Sequence, residues 1–202
     1  MNKRQWTLVL CAALVAGAAG AQETKPAGHS EMSAEQKAMM EAWQKASAAG
    51  EPHQRLLGME GTWDAEVSMW MQPGQPPAKS MGTSVNKPIL GGRWIEQRFT
   101  GTAMNQPFQG IGYTGYDNTK KKYVSTWIDN MSTAVMVSEG AFDAAGKVMT
   151  STSTMMDPMT GKPTQSKGVM RIVDNDHHVY EMWESHDGKD AKTMEIHYRR
   201  KK

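Results

Sequence analysis

The stretch from Gly91 to Asn130 constrains the fold most strongly, because runs of aromatic and β-branched residues alternate there with short turn sequences. The runs are Arg93–Thr102, Phe108–Tyr116 and Lys122–Asp129, and the turns between them are 103–107 and 117–121. This spacing is typical of consecutive antiparallel strands joined by hairpins. The stretch therefore predicts three neighbouring strands of one antiparallel sheet.

The same pattern continues on both sides of this stretch. Thr62–Met69 alternates apolar with polar residues, as a half-buried strand does. Further strands are expected at Lys79–Asn86, Ala134–Phe142, Lys147–Met155, Gln165–Val173, His178–Ser185 and Lys192–Arg199. Short connections make sequential strands neighbours, and closing the sheet removes its exposed edges. The sequence predicts an all-β, ten-stranded antiparallel meander β-barrel over residues 58–201, with an open two-sheet sandwich as the alternative.

Residues 1–21 have the pattern of a secretory signal peptide. Lys3 and Arg4 precede the apolar run Trp6–Ala18, and small residues at 19–21 fit a cleavage site before Gln22. We expect a periplasmic or secreted protein with no stable membrane insertion after cleavage. The only cysteine, Cys11, lies inside this segment, so the mature chain must fold without a disulfide.

The charge balance argues against a polyanionic partner. The whole chain has 23 basic and 21 acidic residues, and cleavage would remove Lys3 and Arg4, leaving equal numbers. A balanced charge gives no indication of the basic surface that nucleic-acid binding uses. We therefore expect no nucleic acid among the partners, and the sequence does not indicate the oligomeric state.

One helix is expected before the barrel. Residues 22–32 are polar and predict a disordered lead-in, after which Ser33 and Gln36 have the spacing of a capping box. The helix would occupy residues 33–50, and Pro52–Met59 could add another turn. Met39, Met40, Trp43 and Ala46 recur at helical spacing, so we expect this stripe to pack against the barrel or to cover one end of it. The alternative is a helix that contacts a partner or a membrane.

Several longer motifs carry a family resemblance. They are GMEGTWDAEVSMWMQPGQPP, LGGRW, PFQGIGYTGYDNTKKKYVSTWID, DPMTG, RIVDNDHHVYEMWE and MEIHYRRK, spread over Gly58–Lys201. In these motifs the chain resembles the bacterial domain of unknown function 1579 family. The resemblance implies a calycin-like (lipocalin-like) barrel and supplies no catalytic residue.

The residues predict no catalytic or metal centre. The mature chain has no cysteine nucleophile and no Gly-x-Ser-x-Gly motif, so we expect a protein that is not an enzyme. His177, His178, His186 and His197 lie on or beside the last two strands, but adjacent histidines on a strand face opposite sides. We therefore expect no metal site and no cofactor.

Copper binding and haem binding are two less favoured functions for an exported chain of this composition. Methionine is plentiful, and clustered methionines could bind Cu(I), although methionine is also an adaptable filler of cores and apolar pockets. The clusters are Met69 with Met71, Met155 and Met156 with Met159, and Met39 with Met40. A haem protein similar to nitrobindin could use His197 as the axial ligand. The Gly-x-Trp-x-Gly-x-Gly motif of such barrels is absent, because Gly61-Thr62-Trp63 continues with Asp64-Ala65.

A ten-stranded barrel has room for a small molecule, so we predict non-catalytic binding of an apolar or amphipathic ligand. The alternative is a structural or interaction domain whose barrel is filled by side chains. Candidate ligand-binding residues are Trp94, Arg98, Tyr113, Trp127 and His197. Glycines in or beside strands, at 82, 101, 110, 112 and 115, are interpreted as bends.

The tryptophans give a more specific expectation. If Trp63 and Trp127 both face inward, we expect Trp63 in the packed floor near one barrel end and Trp127 in the wall of the pocket. If Arg98 is buried, it needs a carboxylate partner, which could be Glu96, Glu139 or the acid group of a ligand.

Overall fold

The computed structural model describes residues 31–72, 74–157, 160–186 and 189–202, with only the backbone of residues 186 and 189. The predicted signal peptide and most of the lead-in lie outside the described residues, as do Pro73, Pro158, Met159, Asp187 and Gly188. Within the described part the chain forms two helices, α1 (Ala34–Ser47) and α2 (Glu51–Leu57), followed by ten strands. The strands are β1 (Gly61–Met69), β2 (Ala78–Ile89), β3 (Trp94–Ala103), β4 (Gln106–Asp117), β5 (Lys122–Asp129), β6 (Met136–Phe142), β7 (Val148–Met156), β8 (Pro163–Asp174), β9 (His177–His186) and β10 (Lys189–Arg200).

The strands form one closed antiparallel barrel in sequence order. Each strand pairs with its neighbours in the chain, and β1 pairs with β10 from Trp63↔Arg200 to Met69↔Met194. This last pairing closes the sheet and excludes the open sandwich. The predicted ten-stranded meander barrel is confirmed, and the predicted and observed bounds of β5 are identical.

Helix α1 begins where the capping box predicts. The Ser33 side chain accepts a hydrogen bond from the Gln36 backbone N–H, and the Gln36 side chain accepts one from the Ser33 N–H. The expectation that its apolar stripe packs on the barrel is wrong, because no residue of α1 is buried and Trp43 is 71% exposed. Polar contacts to the backbone at the end of α1 come from Arg93 and Asn118. Among the described residues, no helix is long and apolar enough to cross a membrane.

Helix α2 closes one end of the barrel. Its Leu56 is 1% exposed and packs with Ile95 and Tyr123 at the ends of two strands. The Tyr123 hydroxyl donates to the Pro52 carbonyl at 3.2 Å, which ties the start of the helix to β5. We call this the closed end, and the opposite end, where β1 leads into β2 and β5 into β6, the mouth.

Three layers of side chains cover the inner face of β1, β10 and β9. Direct pairing across the strands places Ala65, Tyr198 and His178 nearest the closed end, followed by Val67, Ile196 and Tyr180. Met69, Met194 and Met182 form the third layer, on the side of the mouth. The core of buried residues is concentrated in the first two layers together with Trp63 and Phe99, so the barrel is packed at its closed end.

Candidate functional site

The barrel encloses a cavity of about 680 Å³. Its lining extends from Leu56 and Met59 at the closed end to Trp70, Thr102 and Ala134 at the mouth. Sites for small molecules usually have volumes of about 300–1,000 Å³. The cavity therefore has the size of a ligand site.

Methionine dominates the apolar part of the wall. Nine methionines of the described chain line the cavity: Met59, Met69, Met71, Met136, Met149, Met155, Met170, Met182 and Met194. Methionine has a flexible, polarisable side chain that adapts to differently shaped apolar ligands. A wall of this composition suits a site whose shape adjusts to its occupant.

Hydroxyl groups supply most of the polar lining. Ser80, Thr102, Thr114, Ser125, Ser132, Ser138, Ser151 and Thr193 contribute to it. The Ser125 and Ser138 hydroxyls hydrogen-bond each other at 2.7 Å across β5 and β6. Hydroxyls can donate or accept, so this wall can satisfy a ligand's neutral polar groups without burying a charge.

A chain of hydrogen bonds supports the wall from behind. The Gln97 side chain donates to the Ser84 hydroxyl at 2.9 Å, and Ser84 donates to Asn86 at 3.0 Å. Asn86 donates in turn to the Met59 carbonyl at 3.0 Å, beside helix α2. These bonds satisfy buried polar groups and fix the position of Gln97, which lines the cavity.

Aromatic rings lie flat against glycines on the inner wall. A Cβ added at Gly110 or Gly112 would meet the Trp127 ring, and one at Gly82 would meet the Phe99 ring. These glycines provide the space for the rings, which is a different role from the bends that the sequence indicated. The Trp127 Nε1–H donates to Asp129 at 3.0 Å, which fixes the ring against the wall.

Buried neutral groups occupy the floor of the cavity. The His178 ring stacks on Tyr198 and meets Trp63 edge-on, with both pairs of ring centroids 4.5 Å apart. Burial, aided by the positive charges of His177 and Arg200, lowers the pKa of His178 to about 4, so the imidazole is neutral at pH 7. Burial also raises the pKa of Tyr180 to about 12. The floor therefore holds neutral hydrogen-bonding groups.

Trp63 and Trp127 have the two positions expected for them. Trp63 is 2% exposed and belongs to the core cluster, whereas Trp127 is partly buried and lines the cavity. Trp63 donates to the Met59 carbonyl at 3.1 Å, and the Arg200 guanidinium lies 4.1 Å from the centroid of its ring. Trp63 is thus part of the floor and Trp127 part of the wall.

The other four predicted ligand residues lie on the outer face of the barrel. Trp94, Arg98, Tyr113 and His197 alternate with inward-facing neighbours and are absent from the cavity lining. Their placement corrects the prediction that they contact a ligand inside the barrel. The physical reason is parity: Ile95 and Phe99 are the buried apolar face of β3, so Trp94 and Arg98 point outward.

These outward residues have partners of their own. Arg98 is exposed and forms two hydrogen bonds with Glu96, at 2.7 and 3.2 Å, and Tyr113 donates to the same carboxylate. The bond from Arg98 lowers the pKa of Glu96. The Nε2 of His197 lies 2.9 Å from the Glu195 carboxylate. A haem inside the barrel could not use His197 as an axial ligand, because the strand lies between them.

The histidines do not converge on one point. His178 faces the cavity, whereas His177 stacks on His197 outside, with centroids 5.8 Å apart. The side chain of His186 lies outside the described residues. In the part of the chain that the structure describes, no three His, Cys, Asp or Glu residues are grouped so as to hold a metal ion.

Sequence reasoning missed the residues that make most of the wall. The methionines on β9 and β10, the paired serines 125 and 138, and His178 with Tyr180 were not proposed as ligand contacts. The alternation of Met194, Ile196 and Tyr198 along β10 was a usable signal, because the more apolar face of a strand normally faces the interior.

Comparisons with known proteins place this barrel in a family. A family model described as "Protein of unknown function (DUF1579)" matches residues 48–200, which include helix α2 and the whole barrel. No curated protein matches the chain. Because the match covers most of the sequence, the chain belongs to the DUF1579 family.

Proposed function

We propose that this protein is exported and binds a small apolar or amphipathic molecule inside its barrel without transforming it. The cavity of about 680 Å³ is the observation that carries the proposal. A filled barrel, the structural alternative, would place side chains in this volume, because protein interiors pack as densely as organic crystals.

The lining indicates the chemistry of the ligand. Thioethers and the Trp127 and Phe108 rings offer apolar contact, while hydroxyls offer a few hydrogen bonds. Carboxylates of Asp129 and Glu184 lie in the part of the lining near the mouth. A molecule with an apolar body toward the floor and a polar end toward the mouth fits this arrangement.

The proposal is tested by reducing the cavity from inside. Ser138 faces the cavity on β6, whereas its neighbour Val137 is 50% exposed on the outer face. We expect wild-type protein to bind one equivalent of an apolar, polarity-sensitive fluorophore. Ser138→Phe should weaken this binding at least tenfold, because the ring occupies the cavity, and Val137→Phe should leave it unchanged.

Thermal unfolding of both variants separates loss of the cavity from loss of the fold. The proposal fails if folded wild-type protein does not bind the fluorophore saturably, or if folded Ser138→Phe binds it as well as Val137→Phe does. Mass spectrometry of small molecules released from protein purified from its native source would identify the ligand and show whether it is chemically unchanged.

A further inference from the structure

The third layer of side chains from the closed end on β1, β10 and β9 consists entirely of methionine. Met69 pairs directly with Met194, and Met194 pairs directly with Met182. All three line the cavity. The layer beneath them, Val67, Ile196 and Tyr180, contains no methionine. The three methionines are therefore clustered in one layer, and the high methionine content of the whole wall does not by itself account for this.

The strand geometry brings the three sulfur atoms within reach of one point. Side chains that are directly opposite on neighbouring antiparallel strands have Cβ atoms about 4.5–5.5 Å apart. A methionine side chain adds flexible bonds beyond Cβ, so the sulfurs of Met69 and Met182 can turn toward Met194 between them. Three ligands on one side of a cavity can then surround a single small ion.

A β-bulge supports this arrangement. The pairing of β9 with β10 shifts between Lys192 and Met194, so both Thr193 and Met194 line the cavity. The Thr193 carbonyl accepts a hydrogen bond from the Trp70 N–H at 2.9 Å, and the Thr193 hydroxyl donates to the Met182 carbonyl at 3.4 Å. Bulges often re-aim a side chain beside a functional site. Here the bulge brings Met194 into line with its two neighbours.

We propose that Met69, Met182 and Met194 form a three-thioether site for Cu(I). Thioethers are soft, uncharged ligands, and Cu(I) is the first-row metal ion that they favour. Three neutral ligands suit a monovalent ion better than a divalent one, because each further charge removed from water raises the desolvation cost. The site uses thioethers alone as ligands and does not depend on the proposed function.

The experiment is an anaerobic titration with Cu(I) alone, in competition with a chromophoric Cu(I) chelator. We expect wild-type protein to bind one equivalent. Loss of a supporting residue around a metal commonly costs about 10–100-fold in affinity, so replacing all three direct ligands in Met69→Leu/Met182→Leu/Met194→Leu should cost at least about 100-fold. Since thioethers do not take up protons, the wild-type affinity should be constant from about pH 5 to pH 8, where a histidine site would weaken.

The matched control is Met136→Leu/Met149→Leu/Met155→Leu, which removes three methionines from other parts of the same wall. This variant should bind Cu(I) like wild type. Leucine is close to methionine in volume, so both triple variants should fold, which thermal unfolding checks. Loss of Cu(I) binding in only one of two folded variants of the same wall shows a defined site, and it does so whether or not the cavity also binds an apolar ligand.

Two results would overturn the proposal. One is a wild-type protein that does not remove Cu(I) from the chelator at one equivalent. The other is equal loss of Cu(I) affinity in both folded triple variants, which would mean that thioethers throughout the wall bind the ion without a defined site.

Discussion

Replacing Trp63 and Trp127 by alanine, one at a time, tests the division of the barrel into a packed floor and a cavity wall. Trp63 is 2% exposed and is enclosed by His178, Arg200 and the Met59 carbonyl. Truncating a buried tryptophan usually costs about 3–5 kcal/mol. We expect Trp63→Ala to cost an amount within this range.

Trp127→Ala should cost about half as much. One face of its ring lies against Gly110 and Gly112, and the residue also lines the cavity. Because part of the ring faces the cavity, fewer contacts are lost than at Trp63, and we expect a cost of about 1.5–2.5 kcal/mol. The same change removes part of the pocket wall, so affinity for an apolar fluorophore should fall about tenfold, equivalent to about 1.4 kcal/mol.

The measurements are urea unfolding midpoints and fluorophore titrations for both variants, with Trp94→Ala as control. Trp94 lies over Gly115 on the outer face and does not line the cavity, so its removal should leave fluorophore affinity unchanged. Equal stability losses for Trp63→Ala and Trp127→Ala would refute the distinction between floor and wall. Unchanged fluorophore affinity in Trp127→Ala would refute its place in the binding site.

Further predictions concern pH, the helices and export. Folded His178 binds a proton only near pH 4, whereas the unfolded chain does so near 6.5, so stability should fall as pH falls through this interval. The difference corresponds to about 3 kcal/mol in the free energy of unfolding. Urea unfolding at pH 7 and pH 4 should therefore show that His178→Phe loses less stability between these two pH values than wild type does. Removing the residues before Ala48 deletes helix α1, none of whose residues is buried, and should cost no more than about 1–2 kcal/mol. Leu56→Ala should cost about 2–5 kcal/mol, and thermal or urea unfolding that ranks the two changes the other way would contradict the role of α2. N-terminal sequencing of protein from the periplasmic fraction should begin at Gln22, and an intact Met1 would disprove cleavage there.

Local elements could be predicted because their signals lie within a few residues. The capping box of Ser33 and Gln36 fixes the start of α1 through two hydrogen bonds that the residues themselves provide. The strand Lys122–Asp129 was predicted to the residue, because turn sequences end it on both sides. The prediction that the apolar stripe of α1 packs on the barrel was wrong for a different reason. A periodic stripe predicts a helix, but it does not show which surface the helix packs against.

The candidate site could be predicted only in part. Trp127 was assigned to the cavity wall, but Trp94, Arg98, Tyr113 and His197 were assigned to the wrong face. Along a strand, successive side chains point to opposite sides, so each strand offers two sets of residues. An isolated strand such as Trp94–Ala103, which is mixed on both faces, does not show which set becomes the interior.

The sequence by itself determined the order of the elements and the antiparallel meander, because alternation and turn residues act over short distances and short connections force neighbours to pair. Closure of the meander depends on the pairing of β1 with β10, which are at opposite ends of the sheet sequence. Only the tertiary structure decided which faces enclose the cavity and which distant residues meet there. Met69 is far from Met182 and Met194 in the chain, and the alignment of the three depends on the closing pair β1–β10 and on the bulge at Thr193. Register across strands is set by packing of the whole barrel, and a shift of one residue would turn these side chains to the opposite face.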